Sequence, residues 1–134
     1  MKWNADESLI EMVSDEIDTA YIAGLKSLCL SPEAVKAQSD LSIVYTSLHG
    51  TGGTMVPRTL MELGFTNANT VAEQDAPDGN FPTVVSPNPE EAAALKLALE
   101  QAEELGADLV MGTDPDADRV GIAVRNTNGK LQLL

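Results

Sequence analysis

In 108-DLVMGTDPDADRVGIAV-124, two apolar runs rich in Val, Ile and Leu flank a loop that carries Asp114, Asp116, Asp118 and Arg119. The flanks predict one strand over 108–112 entering the loop and another over 120–125 leaving it. Three like charges spaced by two repel one another unless a counter-ion holds them. Carboxylates alternating on such a loop can converge on one hard cation, and oxygen ligands of this kind suit Mg2+, Ca2+ or Mn2+ rather than zinc or copper. A plain polar surface turn is the alternative, because Asp and Pro are common turn residues. An EF-hand is excluded. Counted from Asp114, its sixth position, a glycine, falls on Arg119, and its twelfth, a glutamate, falls on Arg125. Arg119 either offsets the carboxylates or receives an anion that the cation also touches, and phosphate takes both partners.

Outward from this loop the chain alternates strands and helices. Downstream, 126-NTNG-129 between apolar runs predicts a hairpin into LQLL. Upstream, a helix is expected with Asn88 as its cap, Pro89 in first position, Glu90 and Glu91 at the positive end of the dipole and Gly106 as its stop. Before it lies QDAPDGNFPTVVSPNP (74–89), a loop long enough to be functional or interfacial. Strands are expected over 41–46 (LSIVYT) and near 68–73 (ANTVAE), with a helix over about 54–63 between them that Gly64 ends. Pro57 is tolerable in the first turn of that helix. Residues 5–28 place Leu9, Ile10, Val13, Ile17, Tyr21, Leu25 and Leu28 at helical spacing, and Ser31-Pro32 opens a shorter helix through about Gln38. The expected fold is therefore α/β: a three-layer α/β/α domain with a mixed, mostly parallel sheet of about four strands, preceded by an N-terminal linker helix. The chain stops within an apolar strand at Leu133-Leu134, which gives the expectation of a piece of something longer.

With 21 acidic against 8 basic residues and a net charge of −13, the chain lacks the basic footprint of a nucleic-acid binder and is a poor match for an anionic membrane surface. Cys29, the only cysteine, excludes an internal disulfide and a thiolate metal site. No apolar run approaches membrane-spanning length and no signal pattern opens the chain, so a cytoplasmic protein is expected. The glycine loop 48-LHGTGG-53 sits between a strand and a helix, where backbone N–H groups can attract an anion. It is neither a phosphate-binding P-loop nor the dinucleotide fingerprint. His49 is the only histidine, which excludes a multi-histidine metal site; packing and a catalytic role stand open for it.

Taken with its flanking strands, GTDPDADR (112–119) resembles the metal-binding loop of the α-D-phosphohexomutase superfamily, the phosphoglucomutases and phosphomannomutases. YTSLHGTGG (45–53) and DGNFPTVVSPNPEE (78–91) stand in the order expected of that family's second domain, and look closest to its phosphoglucomutase/phosphopentomutase branch. The resemblance implies residues 39–134 as domain II of a four-domain chain and 1–38 as interdomain linker helices. It implies Asp114, Asp116 and Asp118 as Mg2+ ligands, Arg119 as a catalytic contact to the phosphoryl group, and His49 and Gly50 on a loop facing the same cleft. The substrates implied are glucose or mannose 1- and 6-phosphates, isomerised through a phosphoserine and a bisphosphorylated sugar. Nothing here matches the family's phosphoserine loop, so the chain alone is expected to lack mutase activity. Two other readings remain open: a stand-alone Mg2+-dependent phosphatase with Asp114 as nucleophile, and a non-catalytic interaction module.

Overall fold

A computed structural model of the chain describes residues 6–134. The part of the linker expectation that falls on residues 1–5 lies outside the described residues. The order of elements is α1 (Asp15–Ser27), α2 (Pro32–Ala37), β1 (Ile43–Thr46), α3 (Gly52–Leu63), β2 (Ala68–Thr70), α4 (Ala72–Asp75), α5 (Lys96–Leu105), β3 (Leu109–Thr113), β4 (Val120–Arg125) and β5 (Leu131–Leu133), with a 3-10 turn at Glu7–Leu9 before α1.

The strands form one mixed sheet in the order β2-β1-β3-β4-β5. Five strands stand where about four were expected, and the pairings divide evenly. β1 is parallel to β2 and β3, whereas β3–β4 and β4–β5 are antiparallel. Side chains alternate across the sheet, so its register defines two faces. Val44, Val110, Ala123 and Leu133 are successive cross-strand partners on one face. There Ala98 and Ala102 of α5 close a cluster with Val71 and Ala107. The small alanines let the helix lie close to the β-branched row. Ile43 and Tyr45 point to the other face, where α3 begins with Gly52 against the Tyr45 hydroxyl. The result is a helix–sheet–helix stack, as the alternation of elements predicts.

Local chemistry sets several boundaries. Gly64 ends α3 in the left-handed conformation at φ 118°, and Gly106 ends α5 at φ 65°. Asn126 folds the last turn, its backbone N–H donating to the Lys130 carbonyl and its side chain accepting from Asn128 and Lys130 N–H. Three expectations are corrected. α1 begins at Asp15 rather than near residue 5, with Asp15, Glu16 and Asp18 in its first turn where the dipole favours them. Its expected apolar stripe is largely exposed, Ile17 and Tyr21 each by more than half, while Ile22 is the residue it buries. α1 lies chiefly against α3, anchored by Arg58, which bonds Asp15 and Thr19, so one narrow strip is covered. α3 starts two residues early, which moves Pro57 into its second turn and leaves the Gly53 carbonyl without its usual donor.

The third correction concerns α5, which starts at Lys96 and not at Pro89. Asn88 does cap, but it caps a turn: its Oδ1 accepts from Glu90 N–H at 3.1 Å and its carbonyl from Glu91 N–H at 3.0 Å. The turn is shaped by its seat on the sheet. Gly112 and Gly121 are cross-strand partners and together leave a notch. A β-carbon on Gly121 would stand 1.9 Å from the Pro89 carbonyl oxygen, and one on Gly112 would stand 2.4 Å from the Leu95 side chain. Pro89 and Leu95, both wholly buried, fill that notch before the chain can rise into the helix.

Candidate metal and anion site

β1 and β3 run parallel side by side, and both deliver their carboxyl ends to the same edge of the sheet. From β1 the chain leaves through α3 to β2 on one side, then returns through α5 to β3 on the other. Such a reversal of winding direction opens a crevice beyond the carboxyl ends of the two strands, the usual ligand position in open α/β sheets. The glycine loop after β1 and the aspartate loop after β3 form its two lips.

The lips hold each other. Gly50 packs directly on Pro115, where a β-carbon would lie 2.3 Å from the proline Cα. Thr51 donates both its N–H and its hydroxyl to the Pro115 carbonyl, at 2.9 and 3.1 Å. Beneath them the Tyr45 hydroxyl meets Thr113 Oγ1 at 2.8 Å, tying β1 to the residue just before Asp114. Burial pushes the Tyr45 phenol up, against the bond to Thr113 and with help from the nearby Asp75 carboxylate, so the ring stays neutral. Non-glycine residues with positive φ cluster at this end: Leu48, His49, Phe81 and Ala117 all sit in the loops around the crevice. Backbone strain of this kind persists only where surroundings enforce it, and functional sites are where it collects.

Asp114, Asp116 and Asp118 each offer an oxygen to a group whose members all lie within 4.8 Å of one another. Asp114 is 1% exposed, while Asp116 and Asp118 face solvent. The turn that brings them together is closed by Ala117 N–H donating to the Asp114 carbonyl at 3.0 Å. Arg119 folds back over Asp114: its N–H donates to Oδ1 at 3.0 Å and its Nε to Oδ2 at 2.8 Å. Burial alone would raise the Asp114 carboxyl, but the backbone and side-chain bonds from Arg119 and the guanidinium charge outweigh it and hold the group at about 2. Asp118 is shifted up by the carboxylates of Asp114 and Asp116 beside it. A compact all-carboxylate donor set with one partner already resisting ionisation fits a hard cation, which would relieve the repulsion. Each Asp114 oxygen keeps a second lone pair for it.

His49 and Gly50 were expected on the cleft-facing loop. The loop is there, but both residues are turned inward and buried. The His49 ring is 4% exposed, with Nδ1 3.3 Å from the Ala76 carbonyl and Nε2 2.8 Å from Thr83 Oγ1. A carbonyl only accepts, so Nδ1 donates to Ala76; in the matching tautomer Nε2 accepts from the Thr83 hydroxyl. Thr83 in turn accepts from Gln74 Nε2 at 2.9 Å, and Gln74 Oε1 accepts from Thr46 at 2.6 Å. This directed chain fastens the 74–89 loop to the glycine loop.

Tyr45, Thr113, Gln74 and Thr83 had no role assigned from the sequence, because the partners that give them one lie elsewhere in the chain. It placed Asn88 as a helix cap, whereas its Oδ1 also accepts from Arg119 Nη1 at 3.4 Å.

A family model described as phosphoglucomutase/phosphomannomutase, alpha/beta/alpha domain II, matches residues 19–129. The chain is 41% identical over 123 residues to a "Probable phosphomannomutase" of Haemophilus influenzae, covering 92% of this chain and 24% of that protein. It is 52% identical over 93 residues to a phosphoglucomutase of Staphylococcus haemolyticus, covering 69% and 17%. In three dimensions it resembles a phosphoglucomutase/phosphomannomutase family protein of Burkholderia thailandensis with a TM-score of 0.57 at 22% identity, over 70% of this chain and 19% of that one. It thus spans a quarter or less of the length of these relatives.

Proposed function

The chain belongs to the phosphoglucomutase/phosphomannomutase family, as its α/β/α domain II, and from that premise we propose that it supplies the cation-binding side of a phosphosugar mutase. In this reading Asp114, Asp116 and Asp118 hold Mg2+, and Arg119 is the catalytic cation that meets the phosphoryl group. The substrate class is a hexose phosphate, of the glucose or mannose 1- and 6-phosphate kind, handled in the cytoplasm. Residues 39–134 are the working domain and 1–38 the linker. The phosphoserine nucleophile and the sugar-binding groups belong outside this sequence.

The observation that carries the reading is the convergence of three carboxylates within 4.8 Å at the winding reversal between β1 and β3. Held by Asp114, Asp116 and Asp118, a Mg2+ ion would supply positive charge against that developing on a phosphoryl group in transit. The chain's own residues prepare the place. Asp114 stays ionised through Arg119, and Arg119 keeps half its side chain open to solvent, where an anion can reach it. Gly50 and Thr51 fix Pro115 and with it the spacing of the aspartates. His49 serves from inside, holding the 74–89 loop in place rather than touching substrate.

A phosphatase using Asp114 as nucleophile is disfavoured by the same geometry. The carboxylate is buried, both its oxygens accept from Arg119, and the group is held at about 2, which makes the lone pairs that remain poor nucleophiles although they can still meet a cation. The purified chain with glucose 1-phosphate and Mg2+ tests this. The mutase-domain reading expects neither isomerisation nor phosphate release; release that disappears in Asp114→Asn would reverse the choice.

A further inference from the structure

The Arg119 guanidinium is held at two of its three nitrogens. Nε donates to Asp114 Oδ2, and Nη1 donates to Asn88 Oδ1, a residue 31 positions away in sequence. Nη2 makes no hydrogen bond among the described residues. Asn88 is itself held in one orientation. Its Nδ2 donates to Glu91 Oε1 at 3.2 Å, and its Oδ1 accepts from Glu90 N–H at 3.1 Å. Those two bonds set which end of the amide faces Arg119. Ser86 Oγ meets the same Glu91 oxygen at 3.5 Å. The turn that carries Asn88 is bedded by Pro89 and Leu95 in the Gly112–Gly121 notch, directly under the strands that lead into and out of the aspartate loop.

We infer that Asn88, oriented by Glu91 and seated by the paired-glycine notch, is a positioning residue for Arg119, fixing the guanidinium so that its Nη2 edge is presented to the anion. Without Asn88 the guanidinium keeps its single bond at Nε and can swing about that contact. Planar, two-point recognition of a phosphate loses its geometric advantage when the fork is free to rotate. The inference rests on the reading of Arg119 as the anion-facing group, and its test separates the two.

The measurement is side-chain 15Nε relaxation of Arg119 in the purified chain, together with inorganic phosphate titration in the presence of Mg2+. In Asn88→Ala, the Arg119 Nε order parameter is expected to fall and phosphate to bind about fivefold more weakly, the worth of one ordinary hydrogen bond. Asn88→Asp keeps an acceptor for Nη1 and for Glu90 N–H but sets a carboxylate against Glu91 Oε1, so it is paired with Glu91→Gln, whose amide can donate to the new carboxylate; the double variant is expected to retain the wild-type order. Amide shifts of Tyr45 and Thr113, which no hydrogen bond links to Asn88, report that the fold is intact. An unchanged order parameter in Asn88→Ala overturns the inference, and so does equal loss in the Asn88→Asp, Glu91→Gln double variant, which would make the effect one of turn structure. Absence of phosphate binding by the wild type, with Arg119 loosened in Asn88→Ala as expected, would instead remove the reading of Arg119 while the positioning effect stood.

Discussion

Asp114 is the one aspartate of the loop that is folded into the protein, and its ionisation is maintained by a neighbour five residues on. Because its pKa lies at about 2 in the folded chain against an ordinary 3.8, its contribution to stability is fully present above pH about 4. That contribution is lost as pH falls towards 2, so an acid-unfolding profile should shift to higher pH when Arg119→Ala removes the guanidinium. Unfolding at the same pH in wild type and Arg119→Ala would contradict the assignment. Gly50 gives a second prediction at this scale. Its β-carbon would intrude to 2.3 Å on Pro115 backbone, which cannot swing aside as a flexible side chain could. Gly50→Ala should cost about 1–3 kcal/mol in urea unfolding. The aspartates and Arg119 were legible in the sequence because six consecutive residues, 114–119, carry the whole cluster. Their supports were not: Tyr45 reaches Thr113 across 68 positions, and no local pattern encodes such a contact. His49 shows the limit from the other side. Its type and loop were readable, but its inward turn depends on Ala76 and Thr83 of a segment without regular pattern.

Helices and strands divide by what ends them. Gly64, Gly106 and the Asn128-Gly129 turn mark their boundaries with local backbone chemistry, and those boundaries lay where the sequence placed them. The start of α5 did not, because Pro89 obeys the notch between Gly112 and Gly121 rather than its own preference for a first helical turn. α1 likewise begins at its acidic turn, and its apolar residues do not all find a partner. Tertiary seating decided both cases. The two glycine environments make a paired prediction. Gly121→Ala would drive a β-carbon into the Pro89 carbonyl and should destabilise by about 1–3 kcal/mol. Gly24→Ala, in the exposed middle of α1 with nothing within 4 Å, should stabilise by about 0.5–1 kcal/mol. Thermal unfolding of the two variants checks both signs; a stabilising Gly121→Ala would remove the notch from the account.

For the molecule as a whole, function follows from where the winding reverses. The sheet order β2-β1-β3 places two loop-bearing carboxyl ends side by side, and α3 and α5 on opposite faces leave the crevice between them open. Among the described residues no helix is long and apolar enough to cross a membrane. The proposed function requires the three aspartates of this crevice to take one hard divalent cation. Titration of the chain with Mn2+, a paramagnetic stand-in for Mg2+, tests it by NMR. Broadening should begin with the amides of residues 113–119 and the glycine loop packed on them, should be reversed by excess Mg2+, and should be lost in the Asp116→Asn, Asp118→Asn double variant. Broadening centred elsewhere on this acidic surface, or undiminished in the double variant, would contradict the claim.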